Sequence, residues 1–370
     1  MPVPLLDLRA QHSRIREKVI AAMMQVVDDQ TFILGKQVEE FERQIAALSH
    51  TKHAIGCANG SDALLLSLRA LDIGAGHEVI TTPFTFFATA GMTHNSGARP
   101  VFADIDADTF SLNPEAAAAA VTSRTRAVIP VDLFGQMSPI ERYRVAMPSV
   151  PVIEDAAQSI GARRSVDGEW TVAGEMAAIG TFSFFPSKNL GGYGDGGMIV
   201  TQDDHLAMRL RRLRTHGAIK TYVHEEVGFN SRLDTLQAAV LSAKLPFLAE
   251  WSAARRMHAA YYDEAFRDVA EIRTPAIDEA NESIYNQYTI RTDRRDALQA
   301  HLKAMEIGTA IYYPIPLHLQ ECFAYLGYKP GAFPESERAS KEVLSLPVYP
   351  ELSQAQQDVV IEAVRSFFGR

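Results

Sequence analysis

The sequence predicts an α/β protein, with a large domain on a mostly parallel sheet and a smaller α+β domain at the C-terminus. Three observations lead there. From Ile55 to about Thr201, short apolar runs alternate with helical patterns. The runs are apolar almost throughout rather than at every second residue, as in strands covered on both faces. Past Leu245 the pattern changes to one alternating, half-buried strand set among helices. At 370 residues and 47% hydrophobic content, the chain exceeds one ordinary domain. The expected division is 1–245 and 246–370.

The opening segment, through the apolar ILG ending at Gly35, is expected to pack back across the core. HEVITT, ARPVFADI, TRAVIPVDLF, VPVIEDAA, GTFSFFP and MIVT read as buried strands. GSDALLLSLRAL, TAGMTHNSG, NPEAAAAAV and SPIERYRVAM read as the helices between them. A long helical pattern runs from Ser231 to about Phe266, and Pro246 is expected to interrupt it because proline removes a donor and crowds the preceding turn. IYNQYTIRT then alternates like a strand. DALQAHLKAMEIG, SERASKEVLSL and SQAQQDVVIEAVRSFF read as helices.

Charge and cysteine content exclude several classes. A net charge of -9 argues against a nucleic-acid partner. The one basic cluster, Arg209, Arg211, Arg212 and Arg214 in RLRRLR, reads as a solvated helix face or a subunit contact. Cys57 and Cys322 are the only cysteines, so no disulfide framework is called for. No apolar run approaches the roughly 20 residues that span a bilayer. MPVPLLDLRAQHSRIREK lacks the basic-then-apolar form of a secretory signal. A cytoplasmic protein with no membrane partner is expected.

Four segments carry chemistry. In GTFSFFPSKNLGGYGDGG, a strand ends near Pro186 and presents Lys188 before five glycines between 191 and 197. Glycines let backbone approach a ligand and adopt positive φ. A lysine at a buried strand end is poorly solvated, and desolvation favours the neutral amine that can attack an aldehyde. A plain surface lysine is the competing reading. In VIEDAAQS, Asp155 ends an apolar strand, at the edge where parallel sheets bind ligands. There it is placed to accept from a protonated ring nitrogen, with Gln158 three residues on reaching a ring substituent; capping the next helix is the alternative. In CANGSDALLL, Gly60 and Ser61 open a helix whose free N–H groups suit a phosphate, and capping explains them equally well. In PFTFFATA, Phe86 offers a face for a flat ring, or is a core aromatic.

The order of these segments is more specific than any one of them. Together with FILGKQVEEFE, DLFGQ, NSRLDTLQAAVL, YYPIPLHLQ and SLPVYPEL, they resemble the DegT/DnrJ/EryC1/StrS aminotransferases across almost the whole chain. The resemblance implies the PLP-dependent fold type I, pyridoxal 5'-phosphate as cofactor, and no metal. It implies that Lys188 holds the cofactor, that Asp155 faces its ring nitrogen, that Gln158 meets its ring hydroxyl and that Phe86 stacks on it. Gly60, Ser61 and Ser183 match phosphate contacts. Asn230 resembles an asparagine that reaches the phosphate of a neighbouring subunit, implying a homodimer with shared sites; from the chain alone it reads as a helix N-cap. Arg232 is a candidate anion contact for the substrate.

The family moves an amino group from L-glutamate, released as 2-oxoglutarate, to a nucleotide-linked keto sugar. SFFPSK, NSRLDTLQAA, YNQYTIR and YYPIPLHLQ are closest to enzymes acting at C3, on UDP-linked 3-keto-N-acetylglucosamine or glucuronate, or dTDP-3-keto-6-deoxyhexose. A 4-keto-6-deoxy sugar is the alternative. Many relatives carry His-Tyr-Pro where this chain has Tyr312-Tyr313-Pro314, which leaves the sugar open. Related dehydratases have histidine in place of the lysine, and a regulatory protein without catalysis would be expected to lose Lys188 or Asp155. Both are present.

Overall fold

The apolar runs form the middle layer of the molecule. The computed structural model describes residues 1–370. In chain order the strands are β1 (His53–Cys57), β2 (Glu78–Thr81), β3 (Arg99–Phe102), β4 (Thr125–Ile129), β5 (Ile153–Asp155), β6 (Arg163–Val166), β7 (Glu169–Val172), β8 (Ile179–Ser183) and β9 (Gly197–Thr201). Two ladders, β3-β2-β4 and β1-β9-β8-β5, are joined by parallel bridges between Val128 and Val152 and between Val131 and Asp155. In the combined order β3-β2-β4-β5-β8-β9-β1, only β9 runs against its neighbours. The carboxyl ends of β1, β2, β5 and β8 therefore share one edge. Those ends lead to Gly60, to Phe86, and to Asp155 and Ser183 themselves.

Four helices matter for that edge: α1 (Leu8–Asp29), α2 (Lys36–Leu48), α3 (Gly60–Ala70) and α4 (Phe87–Asn95). The opening segment does pack back. Ile15 and Val19 of α1 bury against Val240 and Trp251. The long helical pattern appears as helices Thr235–Lys244 and Leu248–Phe266, and Pro246 falls in the single turn of 3-10 helix between them. One cluster of 20 buried residues gathers Val3 with residues from Ala259 to Val364. A second spans Val38 to Ile284, so part of the chain beyond 246 buries against the sheet. No helix is long and apolar enough to cross a membrane.

The structure corrects three expectations and adds one element that the sequence reading lacked. VLSL of SERASKEVLSL is a strand, Val343–Leu346, paired antiparallel with Tyr288–Arg291 and buried throughout; a run of four residues with three apolar ones is too short to carry a period that separates strand from helix. Asn230 is not an N-cap, because the helix begins at Thr235 after Asp234, and Asn230 bridges Thr215 instead. The hairpin β6–β7 went unread although Asp167-Gly168 signals it, with φ of 53° and 87° suited to a tight hairpin turn. The basic cluster is not a uniform solvated face. Arg209 pairs with Asp72 at 2.6 Å and Glu226 at 3.1 Å, Arg212 reaches Glu225, and Arg214 is buried.

Arg214 and Glu42 together clamp β1. The guanidinium contacts the Glu42 carboxylate and donates to the Gly56 carbonyl at 2.8 Å, while Glu42 accepts from the Gly56 N–H at 2.8 Å. Removing the cation alone strands a buried anion. Arg214→Met is expected to lose about 3–5 kcal/mol of stability. Adding Glu42→Leu should recover part of it, because the uncompensated charge is then gone. Denaturant unfolding of both variants checks this, and an additive double variant refutes the clamp.

Candidate active site

Asp155 is the most constrained group at the shared edge. It is 5% exposed. Its Oδ2 accepts from the Thr89 hydroxyl of α4 at 2.8 Å, and its Oδ1 accepts from the Ala157 N–H at 3.3 Å. Thr85 meets Thr89 at 3.1 Å, extending the chain of hydroxyls. Burial pushes the Asp155 carboxyl up, and the Thr89 hydroxyl, the Ala157 N–H and the positive charge of Lys188 oppose it.

Lys188 lies in the turn after β8 and is half-buried. Burial pulls its amine down to about 8, against the attraction of Asp155. The loop that follows is rigidly held. Asn189 donates to the Ile284 carbonyl at 3.1 Å and accepts from Asn286 at 2.9 Å. Lys244 donates to the Gly191 carbonyl at 2.5 Å, and Gln237 accepts from the Tyr193 N–H at 2.8 Å. This corrects the reading of the glycines. None of Gly191, Gly192, Gly194, Gly196 and Gly197 has a positive φ. They are there because protein atoms press on them: a Cβ on Gly191 would lie 2.3 Å from the Pro186 carbonyl oxygen, and one on Gly192 2.8 Å from Gln237.

The α3 N-terminus is capped, which was one of the two readings offered for it. Asn59 caps the helix, its Oδ1 accepting from the Asp62 N–H at 2.8 Å. Gly60 packs so tightly on β8 that a Cβ would lie 2.7 Å from the Ser183 Cβ. Gly60 and the end of β8 thus meet at the positive end of an 11-residue helix, with half-buried Ser61 next in line.

The remaining walls come from Phe86, Gln158 and two tyrosines. Phe86 precedes α4 and is 57% exposed, in contrast to fully buried Phe84. Its ring centroid lies 6.3 Å from that of Tyr313. Gln158 accepts from the Phe134 N–H at 2.7 Å and donates to the Tyr313 hydroxyl at 3.2 Å. The first bond fixes which end of the amide faces Tyr313, and the second N–H of that end is left over for another acceptor. Tyr313 is thus bound to Gln158 and close enough to Asp155 for the two to interact; burial first, then that acid, push its phenol up. Half-buried Tyr312 joins it against Phe84 and Phe110.

Two predicted site residues stand apart. Asn230 is exposed, although the next residue, Ser231, accepts from the Ala58 N–H at 3.2 Å beside the α3 N-terminus. Arg232 is half-buried. The structure does not bring either to Lys188 by a direct contact. Thr89 and Thr85 were missed altogether. Their partner Asp155 is 66 residues away from Thr89 in sequence, and nothing in TAGMTHNSG marks one threonine over another.

The profile of the DegT/DnrJ/EryC1/StrS aminotransferase family matches residues 13–365. The chain belongs to this family. It is 49% identical, over 100% of the chain and 99% of the relative, to a protein of Geobacillus stearothermophilus described as a pleiotropic regulatory protein. It is 43% identical to a UDP-2-acetamido-2-deoxy-3-oxo-D-glucuronate aminotransferase of Pseudomonas aeruginosa, covering 98% and 99% of the two chains. The crystal structure of S. venezuelae DesV with a ketimine intermediate superposes with a TM-score of 0.97 at 40% identity, covering 100% and 99%. The fold is accordingly that of the PLP-dependent aminotransferases, and pyridoxal phosphate is the cofactor. The residues fit it: a buried acid held by two donors, a desolvated amine opposite, an exposed phenyl face, and a helix N-terminus packed on Ser183.

Lys188 gives a direct test. In cofactor-free protein, labelling by an amine-selective reagent should rise as pH passes about 8, where the amine loses its proton, rather than above 10. Peptide mapping by mass spectrometry follows this site by site. Labelling of Lys188 that tracks the exposed lysines would refute its desolvation.

Proposed function

We propose that the chain transfers an amino group from L-glutamate to C3 of a nucleotide-linked 3-keto hexose, of the UDP-3-keto-N-acetylglucosamine or glucuronate type or the dTDP-3-keto-6-deoxyhexose type. The observation that carries the reading is the placement of buried Asp155, braced by Thr89 and Ala157, and of desolvated Lys188 at the carboxyl ends of the neighbouring strands β5 and β8. The UDP-3-oxo-glucuronate relative supports the 3-keto class. A C4 aminotransferase on a 4-keto-6-deoxy sugar is the alternative.

Each residue then has a physical task. Lys188, with an amine near its neutral form at working pH, takes a proton from the substrate carbon and returns it. Asp155 accepts from the ring nitrogen and keeps it protonated, while Thr89 and Ala157 stop the carboxylate from turning away. When bound, the cofactor would supply an electron sink beside the carbon that loses its proton. Phe86 covers one face of the ring. Gln158, oriented by Phe134 and Tyr313, points its spare N–H at the ring hydroxyl. The N–H groups of Gly60 and Ser61 and the Ser183 hydroxyl receive the phosphate. Tyr312, Tyr313 and Arg232 are assigned to the sugar nucleotide.

A regulatory protein that binds the cofactor without catalysis is the reading that the Geobacillus relative's description raises. Against it stand the desolvated lysine and the buried, braced acid, an arrangement that costs stability and serves proton transfer. The division at 245/246 and a cytoplasmic location belong to the same proposal; Cys57 and Cys322 are both free.

Amination assayed over UDP- and dTDP-linked 3-keto and 4-keto sugars tests the substrate. Turnover confined to 4-keto sugars would overturn the regiochemistry, and turnover of none would favour the regulator. Asp155→Asn is expected to cost at least about 100-fold in kcat while cofactor stays bound.

The site is proposed to be shared in a homodimer, with Asn230 crossing to the partner's phosphate. Asn230 is exposed, and Ile33, Tyr222 and Val227 are apolar and exposed on the same chain. Mixing inactive Lys188→Ala with an impaired Asn230→Ala should restore roughly a quarter of wild-type activity, since half of randomly exchanged dimers are mixed and each holds one intact site. No recovery despite demonstrated exchange places Asn230 in its own subunit's site.

A further inference from the structure

Behind Asp155 lie two carboxyl groups that the proposed chemistry does not use. Val131 bridges Asp155 in parallel register. Side chains alternate from that level, so Val131 and Asp155 share one face of the sheet while Asp132 and Glu154 share the other. Neither Asp132 nor Glu154 has any exposed surface.

Their hydrogen bonds are unequal. Asp132 has a donor for each oxygen: the Ser138 N–H at 2.7 Å and the Ser159 hydroxyl at 2.7 Å. Its own N–H donates to the Asp155 carbonyl at 3.0 Å, and the Asp155 N–H donates to the Pro130 carbonyl at 3.0 Å. Glu154 has a donor only for Oε2, from the Gly174 N–H at 3.1 Å; Oε1 is buried with no donor. Ionised, that oxygen would be a desolvated anion without a donor, next to a second anion. Protonated, it becomes a donor, and Asp132, on the same face of the sheet beside the Val131–Asp155 bridge, is the acceptor nearest in register.

We propose that Glu154 carries a proton at neutral pH and gives it in a hydrogen bond to the Asp132 carboxylate, so that the pair holds one negative charge and serves as a positioning pair for Asp155. The titratable groups facing the pair are Asp155 from β5 and Tyr143 from helix Ile140–Ala146, both acids, so neither can neutralise a second negative charge. Burial and mutual repulsion push Glu154 well above the usual carboxylate range, and burial takes Asp132 up to about 6. The Asp132 N–H and the Pro130 carbonyl, tied to the Asp155 backbone, hold the strand end in place. A dianion here would raise the proton affinity of Asp155, whose task is to stay ionised. The effect on Asp155 rests on the reading under Proposed function; the shared proton does not.

Infrared spectroscopy of the holoenzyme reads the proton directly. An un-ionised carboxylic acid has a carbonyl stretch well above that of a carboxylate. The band is expected in wild type at pH 8 and should vanish in Glu154→Gln; its absence from wild type, or its survival in Glu154→Gln, overturns the proposal. Should Glu154→Gln fail to fold, Asp132→Asn decides: relieved of a neighbouring charge, Glu154 should lose its band at a lower pH than in wild type, and an unchanged pH refutes the pairing. Stability gives the sign independently. A raised folded pKa means that the folded chain keeps a proton the unfolded chain sheds, so this contribution is full at low pH and declines as pH rises. The melting temperature of Glu154→Gln relative to wild type should therefore climb between pH 6 and 9, and a flat difference counts against the proposal. For the role toward Asp155, the double variant Asp132→Asn/Glu154→Gln should shift the acid limb of the kcat profile to lower pH; an unmoved limb overturns the positioning role.

Discussion

The site depends on keeping one carboxylate charged where water barely reaches it. An isolated buried carboxylate is penalised by several kcal/mol and would rather take up a proton. At Asp155 burial still pushes the carboxyl up, and a hydroxyl from α4, an N–H from its own turn and an amine from the loop after β8 oppose it. The two hydrogen-bond donors come from different elements, and the amine adds to them only while it carries a proton. Register is the condition behind them. β5 pairs with β8 so that Asp155 stands opposite Thr181. A one-residue slip would turn Asp155 to the far face and bring Glu154 to the site, because neighbouring residues on a strand face opposite ways.

Lys188 is positioned by a different means. The glycine loop after it is not a soft hinge. Its backbone is pressed by Pro186 and Gln237 and hydrogen-bonded by Asn189, Gln237 and Lys244. Asn189 ties the residue next to Lys188 to Ile284 and Asn286, far along the chain. The amine is thus set on a frame that both halves of the sequence build, which suits a group that must meet a reacting carbon within a fraction of an ångström.

Much of this was legible in the sequence, and the limits have physical causes. Strand ends followed by Gly60, Phe86 and Lys188 were readable because apolar runs and turn residues are local signals. Asp155 was readable as a strand-end acid, but capping the next helix was an open rival until the family resemblance singled it out. Thr89 was not, since its importance comes from a contact between α4 and β5 that no local pattern encodes. The glycines were recognised but given the wrong cause: sequence shows that Cβ atoms are absent, not whether a ligand or Gln237 occupies the space. VLSL was misread because a short run buried on both sides has no period. Asn230 was readable only through family resemblance, and within one chain it bridges Thr215 rather than capping a helix.

The tyrosine pair shows how specificity differs in kind from catalysis here. Tyr313 is bound to Gln158 and packs with Phe84 and Phe86, so its position is tied to the frame around the cofactor. Tyr312 is half-buried, and the family resemblance implies a histidine at its position in many relatives. A histidine at such a wall changes charge near neutral pH. Burial pushes the Tyr312 phenol further from that range, so this chain presents a donor and acceptor that stays neutral. A sugar lying against such an uncharged wall would be discriminated by the placement of hydroxyl and amide groups rather than by attraction to an acid.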